Sequence, residues 1–218
     1  WFMVGAKGDN GKTLFLDVLM GVLPIYVSKG SSLLLEDGNT KQHKMIAGLE
    51  GFRLVWLDEF RKGKKMDEKL MKELADGKSI KNEVLFGTEK EIRIDCKIIG
   101  VSNHKQKFES EGGVVNRFRE LQHKASFKDK FKEDNYDALE FKTDKKLPQK
   151  LRENYKEAIV EILMEGAYDY CKNGLYEMPS EFVEATTETV NQNDEFKTWF
   201  DEFCEVGEGK EYRCGISN

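Results

Sequence analysis

The chain has 218 residues, 39% of them hydrophobic and 34% charged, which suits one domain with an appended subdomain and a true apolar core. No apolar run approaches the roughly 20 residues of a membrane-spanning helix and no signal peptide opens the chain, so we expect a soluble, intracellular protein without a membrane partner. The net charge of −5 argues against a protein coated with nucleic acid, although residues 61–81 carry a local net charge of +4 that fits contact with phosphate.

The first 20 residues predict a buried strand, a glycine-rich loop and a helix. Residues 1–4 are apolar and form the strand. Because no turn precedes Trp1, we expect the sequence to come from a longer polypeptide. The loop covers residues 5–11, and the helix runs from Lys12 to about Met20 with its apolar side inward.

The middle of the chain alternates short apolar runs with one helical segment. Such alternation predicts an α/β fold with a mainly parallel sheet that is covered by helices on both faces. The predicted elements are a strand at 54–57, a helix at 66–75, two strands within 80–94 around a turn at 87–90, and a strand at 98–101.

The last third of the chain predicts helices. One amphipathic helix begins after Pro148 and ends at Asn173 and Gly174. A second runs from Asp194 to Cys204, and its aromatic side chains, expected to face inward, are Phe196, Trp199, Phe200 and Phe203. We place a boundary near Asp144, between a core at 1–143 and a helical subdomain at 144–218 that could also be the start of a further domain.

The cysteines and histidines form no recognisable ligand pattern. The four cysteines are widely scattered without a C-x-x-C pair, and the three histidines lack ligand spacing. We therefore expect neither a structural zinc site nor a disulfide framework, and a reducing interior is the default environment.

The strongest motif, G-D-N-G-K-T at 8–13, predicts a loop that binds the phosphates of ATP. Inward-pointing N–H groups require glycine where φ is positive, and the helix N-terminus adds partial positive charge. Lys12 would reach the β and γ phosphates, and the Thr13 hydroxyl would bind Mg²⁺. Ala6 stands where the general pattern has glycine, and the alternative is a glycine-rich turn that caps an ordinary helix. The predicted nucleotide-binding residues are Gly8, Asp9, Asn10, Gly11, Lys12 and Thr13.

A second candidate site follows the strand at 54–57, about 45 residues after the phosphate loop. Asp58 would hold Mg²⁺ directly or through water, and Glu59 would orient and deprotonate the attacking water. Many strands end in solvated carboxylates, which is the alternative for this pair. The preceding phosphate loop favours the catalytic interpretation.

These residues resemble superfamily 3 helicases, in the branch of phage and large-DNA-virus primase-helicases related to the poxvirus enzyme. The family loop, G-x-G-x-N-G-K-[ST], is matched by 8–13 apart from its first glycine, and an L-x-G-x-R turn at 49–53 precedes the acidic strand. The resemblance covers about residues 1–130. Further matching segments are 72–77, 97–103 and 112–119, whereas Lys78 and Glu83 depart from the family pattern.

The resemblance implies a P-loop core of the AAA+ type and ATP hydrolysis coupled to movement along single-stranded DNA during viral or phage genome replication. Asn103 would then sense the γ-phosphate, with a turn-favouring asparagine as the alternative. Arg117 would be an arginine finger for the neighbouring subunit of a homo-hexamer, with Arg119 as runner-up and a surface ion pair as the alternative. Whether the same longer chain also contains a primase domain stays an open question.

The resemblance also implies a hairpin at 80–95 that contacts the DNA backbone through Lys81, Lys90 and Arg93. A solvated face is the alternative for these charges. Two rivals remain for the whole chain: another ring NTPase, such as a packaging or remodelling motor, and a scaffold that binds nucleotide without hydrolysing it. Glu59 argues against the scaffold.

Overall fold

A computed structural model describes residues 1–5, 8–58, 60–82, 90–109, 112–206 and 212–214. Its centre is a sheet in which every neighbouring pair of strands is parallel. The strands, in spatial order, are β2 (Val27–Ser31), β3 (Leu54–Asp58), β6 (Lys97–Ser102), β1 (Phe2–Val4) and β7 (Glu120–Gln122). The predicted mainly parallel α/β sheet is therefore confirmed.

Three two-stranded sheets accompany the central one. β4 (Ser79–Asn82) pairs antiparallel with β5 (Lys90–Arg93), as the sequence predicted for this segment. The other pairs are β8 (Ser126–Phe127) with β9 (Glu140–Phe141), which run parallel, and β10 (Cys204–Val206) with β11 (Tyr212–Cys214), which run antiparallel.

Helices connect the strands and make up most of the last third. The α-helices are α1 (Lys12–Val22), α2 (Gln42–Ala47), α3 (Glu68–Ala75), α4 (Gly112–Val115), α5 (Leu147–Glu153), α6 (Lys156–Asn173), α7 (Ser180–Asn193) and α8 (Glu195–Phe203). A 3-10 helix spans Ser32–Leu35. Among the described residues, no helix combines the length and the apolar character needed to cross a bilayer.

Apolar side chains cover both faces of the sheet. Successive residues of a strand point to opposite faces, so Phe2 and Val4 belong to one buried cluster while Met3 belongs to the other. The first cluster includes residues of α2 and α3, and the second includes Leu16 and Leu19 of α1. The sheet thus holds the carboxyl ends of β1, β3 and β6 in fixed positions.

The helices of the last third differ from the prediction in two ways. The single helix predicted up to Asn173 is two helices, because α5 ends before Asn154 and α6 begins after Tyr155. The inward orientation predicted for the aromatic residues of α8 is wrong for Phe196, Trp199 and Phe203, which are 70%, 47% and 45% exposed. An amphipathic pattern marks an apolar face, but it does not say which element covers that face.

One cysteine forms a disulfide, although the sequence predicted no disulfide framework. Cys204 is disulfide-bonded, whereas Cys96 and Cys171 are free. In the antiparallel β10–β11 pair, position 204 lies opposite position 214. Wide spacing along the chain did not reveal this proximity, because an antiparallel hairpin brings the two positions together.

Candidate nucleotide-binding cleft

The phosphate loop lies between the carboxyl end of β1 and the first turn of α1. Gly11 directly precedes α1 with φ of 78°, a left-handed conformation that glycine adopts without strain. Asp9 also has a positive φ, of 60°, which aspartate tolerates better than most residues. Gly11 has no side chain that could cap α1, and N–H groups at a helix N-terminus are suited to binding phosphate.

The Lys12 ammonium is held by two side-chain amides. Lys12 is only 4% exposed, and its Nζ donates to Asn10 Oδ1 at 2.6 Å and to Asn103 Oδ1 at 3.1 Å. Burial lowers the pKa of Lys12, and the negative charge of Asp58 opposes that shift. Lys12 and Asn103, which are 91 positions apart, therefore belong to one site.

Asn10 fastens the loop to the chain that follows β7. Asn10 Nδ2 donates to the His123 carbonyl at 3.4 Å, and His123 Nδ1 lies 3.3 Å from the Asn10 carbonyl. Gly5 makes room for this arrangement, because a Cβ there would lie 1.8 Å from Asn10 Nδ2. Burial is the main cause that lowers the pKa of His123, so the ring is neutral at pH 7. No sequence signal marked His123, whose position depends on β7 pairing with β1.

Asp58 ends β3 on the other side of the cleft. Its Oδ2 lies 3.2 Å from Nζ of Lys29, which also stands 4.5 Å above the Trp56 ring. Lys29 was not singled out from the sequence, because β2 was not predicted there. Glu59, the predicted catalytic base, lies outside the described residues, and its role stays a prediction.

The cleft has a volume of about 460 Å³ and is lined by all of residues 8–13 together with Asp58 and Asn103. Thr13 and Asp58 offer a hydroxyl and a carboxylate, the oxygen ligands that Mg²⁺ prefers. In the described part of the chain, no group of three or more His, Cys, Asp and Glu side chains is arranged to hold a metal. The residues therefore fit a metal ion that draws its other ligands from water and nucleotide phosphates.

Arg117 does not line this cleft. Its Nε donates to Asp76 Oδ1 at 2.6 Å, and its Nη1 donates to the Gly113 carbonyl at 2.8 Å. Hydrogen bonds from Arg117 and Lys78 lower the pKa of Asp76. Arg117 instead lines a separate cavity of about 730 Å³. Arg119, the runner-up, donates to backbone carbonyls of its own segment.

The candidate DNA-contacting residues lie on the β4–β5 pair. Lys81 is exposed and stands opposite Glu91, and Arg93 is exposed with its Nε 2.9 Å from Asp95 Oδ1. Lys90 begins β5 opposite Asn82, and its side chain is outside the described part. The connection at 83–89 also lies outside the described residues.

The loop that carries Asn103 is bonded to α7. Gln106 Nε2 donates to Ser102 Oγ at 2.8 Å, which ties the loop back to the end of β6. Asn193 of α7 donates to the Gln106 carbonyl at 2.9 Å and accepts from the Phe108 N–H at 2.9 Å. Sequence reasoning missed Asn193, because its partners lie more than 80 positions away.

Solved structures that are similar to the chain include the following three. Two are apo structures of the NrS-1 C-terminal region. One has 14% identity and a TM-score of 0.39, and the match covers 92% of this chain and 60% of that chain. The other has 15% identity and a TM-score of 0.34, and the match covers 100% of this chain and 66% of that chain. The third is JCV helicase bound to a thiazolopyridinyl-phenoxyphenyl acetamide, with 13% identity and a TM-score of 0.38 over 92% and 51%.

The chain thus spans between half and two thirds of the length of these structures. No protein-family profile and no curated protein sequence matches it at a significant level.

Proposed function

We propose that the chain is the ATP-hydrolysing motor of a superfamily 3-type helicase that moves along single-stranded DNA in viral or phage genome replication. One observation carries the proposal. Lys12, Asn103 and Asp58 line the same cleft as the phosphate loop. Lys12 opens the helix that follows β1, Asn103 directly follows β6 and Asp58 ends β3, and these three parallel strands are neighbours in the sheet. An ordinary helix-capping turn does not require this arrangement.

Nucleotide binding begins at Lys12 and the N-terminus of α1. The ammonium now donates to the oxygens of Asn10 and Asn103, and the phosphate oxygens of ATP are stronger, charged acceptors for the same donors. Transfer of the ammonium to the phosphates would release the Asn103 amide. Asn103 could then bond the γ-phosphate and the attacking water.

Hydrolysis needs a metal ligand set and a base. Thr13 and Asp58 would hold Mg²⁺, with Lys29 then losing Asp58 as its partner. Bound Mg²⁺ neutralises negative charge on the β and γ phosphates. Glu59 accepts a proton from the attacking water, and the water oxygen bonds to the γ-phosphorus. The bond from that phosphorus to the bridging oxygen breaks, and ADP and phosphate leave.

Two features support an AAA+-type ring, and we propose a homo-hexamer. β6 lies between β1 and β3, so Asn103 stands between the phosphate loop and Asp58. Arg117 is turned away from the cleft of its own chain, as a residue that completes the site of a neighbouring subunit would be. The hydrogen bonds of Asn193 to the Asn103 loop supply a physical link from the γ-phosphate to α7.

A hydrolysing enzyme and a nucleotide-binding scaffold differ in what Glu59→Gln does. The amide keeps the shape of the side chain but cannot accept the proton, so we expect hydrolysis to fall by about 10²–10⁴ while ATP binding changes little. Phosphate release and the ATP dissociation constant are measured on the same preparations, with the exposed Glu133→Gln as the matched control. Absence of turnover in the assembled wild-type protein would favour the scaffold, and collapse of ATP affinity in Glu59→Gln would make Glu59 structural.

The hairpin residues Lys81, Lys90 and Arg93, changed together to Ala, should weaken binding to single-stranded DNA and leave basal ATP hydrolysis largely intact. Each lost phosphate contact should reduce the slope of log K against log[salt] by about 0.7. A control variant replaces the exposed Lys130, Lys156 and Lys172. If both triple variants keep the wild-type slope, the hairpin charges belong to the solvated surface.

A further inference from the structure

A second cavity, of about 450 Å³, adjoins the phosphate cleft. The two share three lining residues, Asp9, Gly11 and Leu14, so they adjoin at the phosphate loop. The other walls of the second cavity come from residues 127–129, 143–145 and 147–148. No residue of the proposed hydrolytic chemistry lines it apart from those of the loop itself.

Phe127 forms an aromatic wall of this cavity and is fixed against the loop. Its N–H donates to the Asp9 carbonyl at 2.7 Å, and its Cε2 lies 3.7 Å from the position that a Cβ on Gly11 would occupy. Its ring stacks on Phe141, with 5.3 Å between centroids and 26° between planes, and Tyr136 packs edge-on against Phe141. Phe141 thus supports the ring of Phe127 in its position beside Gly11.

The opposite wall is apolar, and two ion pairs lie at its rim. Leu147 and Pro148 begin α5, which packs against α1. On the rim, Lys145 Nζ lies 2.6 Å from Asp129 Oδ2, and Lys150 Nζ lies 3.0 Å from Asp144 Oδ2. Charges neutralised in this way favour an occupant with a flat, weakly polar face over another phosphate.

We propose that this cavity is the nucleobase subsite of the nucleotide whose phosphates bind in the adjoining cleft, with Phe127 stacked on the base. The inference rests on the proposed nucleotide binding. A nucleoside attached to phosphates at the N-terminus of α1 must leave the cleft along its shared border, past Gly11 and Leu14. Beyond that border it meets the ring of Phe127, and every nucleobase offers a π-face for stacking.

The test compares a ligand that has a base with one that has none. Magnesium ATP and magnesium tripolyphosphate are titrated calorimetrically into the wild-type chain, Phe127→Ala and Phe127→Trp. We expect Phe127→Ala to raise the dissociation constant of ATP by about 5- to 150-fold and to leave that of tripolyphosphate within twofold. Phe127→Trp retains an aromatic face and should keep most of the ATP affinity.

Two further variants serve as controls for the Phe127 experiment. Tyr136→Leu alters the same aromatic cluster but does not line the cavity, so it should change neither affinity. Leu147→Ala, at a position already 36% exposed, changes the opposite wall and should weaken ATP alone even if Phe127→Ala fails to fold.

The outcomes separate this proposal from the proposed function. Equal losses for ATP and tripolyphosphate in Phe127→Ala would mean that Phe127 only supports the phosphate loop through Gly11, and the base subsite would be overturned. Unchanged ATP affinity in both Phe127→Ala and Leu147→Ala would overturn it as well. A wild-type chain that binds neither ligand would overturn the proposed nucleotide function itself.

Discussion

Replacement of Lys12 by Ala is expected to reduce ATP hydrolysis at least about 100-fold and to weaken ATP binding. Within the described residues, the buried Lys12 ammonium is the only cation that donates to both Asn10 and Asn103. Without it, the negative charge that develops on the β and γ phosphates loses its fixed counter-charge. Two amide oxygens also lose their donor, which disturbs the local order of the loop.

The measurement is steady-state phosphate release together with the ATP dissociation constant. Lys65→Ala is a suitable control, because Lys65 is an exposed lysine paired with Glu109 and lies outside the cleft. Thermal melting of both variants establishes that they are folded to the same extent. Near-normal hydrolysis in a folded Lys12→Ala protein would remove the basis for the phosphate-loop assignment.

Replacement of Arg117 by Ala is expected to leave ATP binding normal and to reduce hydrolysis by about 10³–10⁵. Because Arg117 lies outside the cleft of its own chain, the phosphate loop, Asp58 and Asn103 of that chain keep their contacts. Only the charge that the arginine would bring to a neighbouring subunit's γ-phosphate is lost. The variant should therefore separate binding from turnover.

Mixing Arg117→Ala subunits with Lys12→Ala subunits tests whether the arginine acts on a neighbour. Where the two meet in the correct order, an intact loop faces an intact arginine, and some phosphate release should return. An arginine acting within its own chain gives no recovery, because each subunit then carries its own defect.

Controls for the mixing experiment concern exchange and cooperativity. Labelled subunits establish that the two variants share rings, and mixtures of each variant with wild type establish whether a ring with some defective sites still turns over. Verified exchange without recovery, in rings that tolerate defective sites, would contradict the proposed trans arrangement. Arg119→Ala in the same scheme tests the runner-up.

Replacement of Arg117 also removes an ion pair inside the chain. Asp76 accepts from Arg117 and from Lys78, so the variant leaves Asp76 with Lys78 alone. Asp76→Asn is the matched control, because it breaks the same pair and keeps the arginine. Loss of turnover in Arg117→Ala but not in Asp76→Asn would assign the effect to the arginine itself.

Local features were predictable wherever one contiguous segment contains the physical cause. The phosphate loop depends on glycines at positions that need a positive φ or close approach, and those residues are adjacent in the chain. The strands at 2–4, 54–58 and 97–102 follow from short apolar runs, and their parallel arrangement follows from alternation with helices. The antiparallel pairing of 79–82 with 90–93 follows from period-two alternation in the sequence.

Relations between distant segments were not predictable in the same way. Amphipathic patterns in the last third predicted helices, but they did not predict the exposure of Phe196 and Trp199 or the break at Asn154. The facing positions 204 and 214 depend on strand pairing that spacing along the chain does not express. In each case the missing information is which element packs against which, and that depends on the whole chain.

The sequence by itself determined the strand and helix on either side of the glycine-rich loop, the strand that ends at Asp58 and the parallel α/β plan, because backbone sterics and hydrophobic periodicity act over a few residues. Only the tertiary structure decided that Asn103 bonds Lys12, that Lys29 pairs with Asp58, and that His123 secures Asn10. It also decided that Phe127 stands beside Gly11. Strand order in the sheet sets these contacts, because carboxyl ends of parallel strands meet at one edge whatever their separation along the chain.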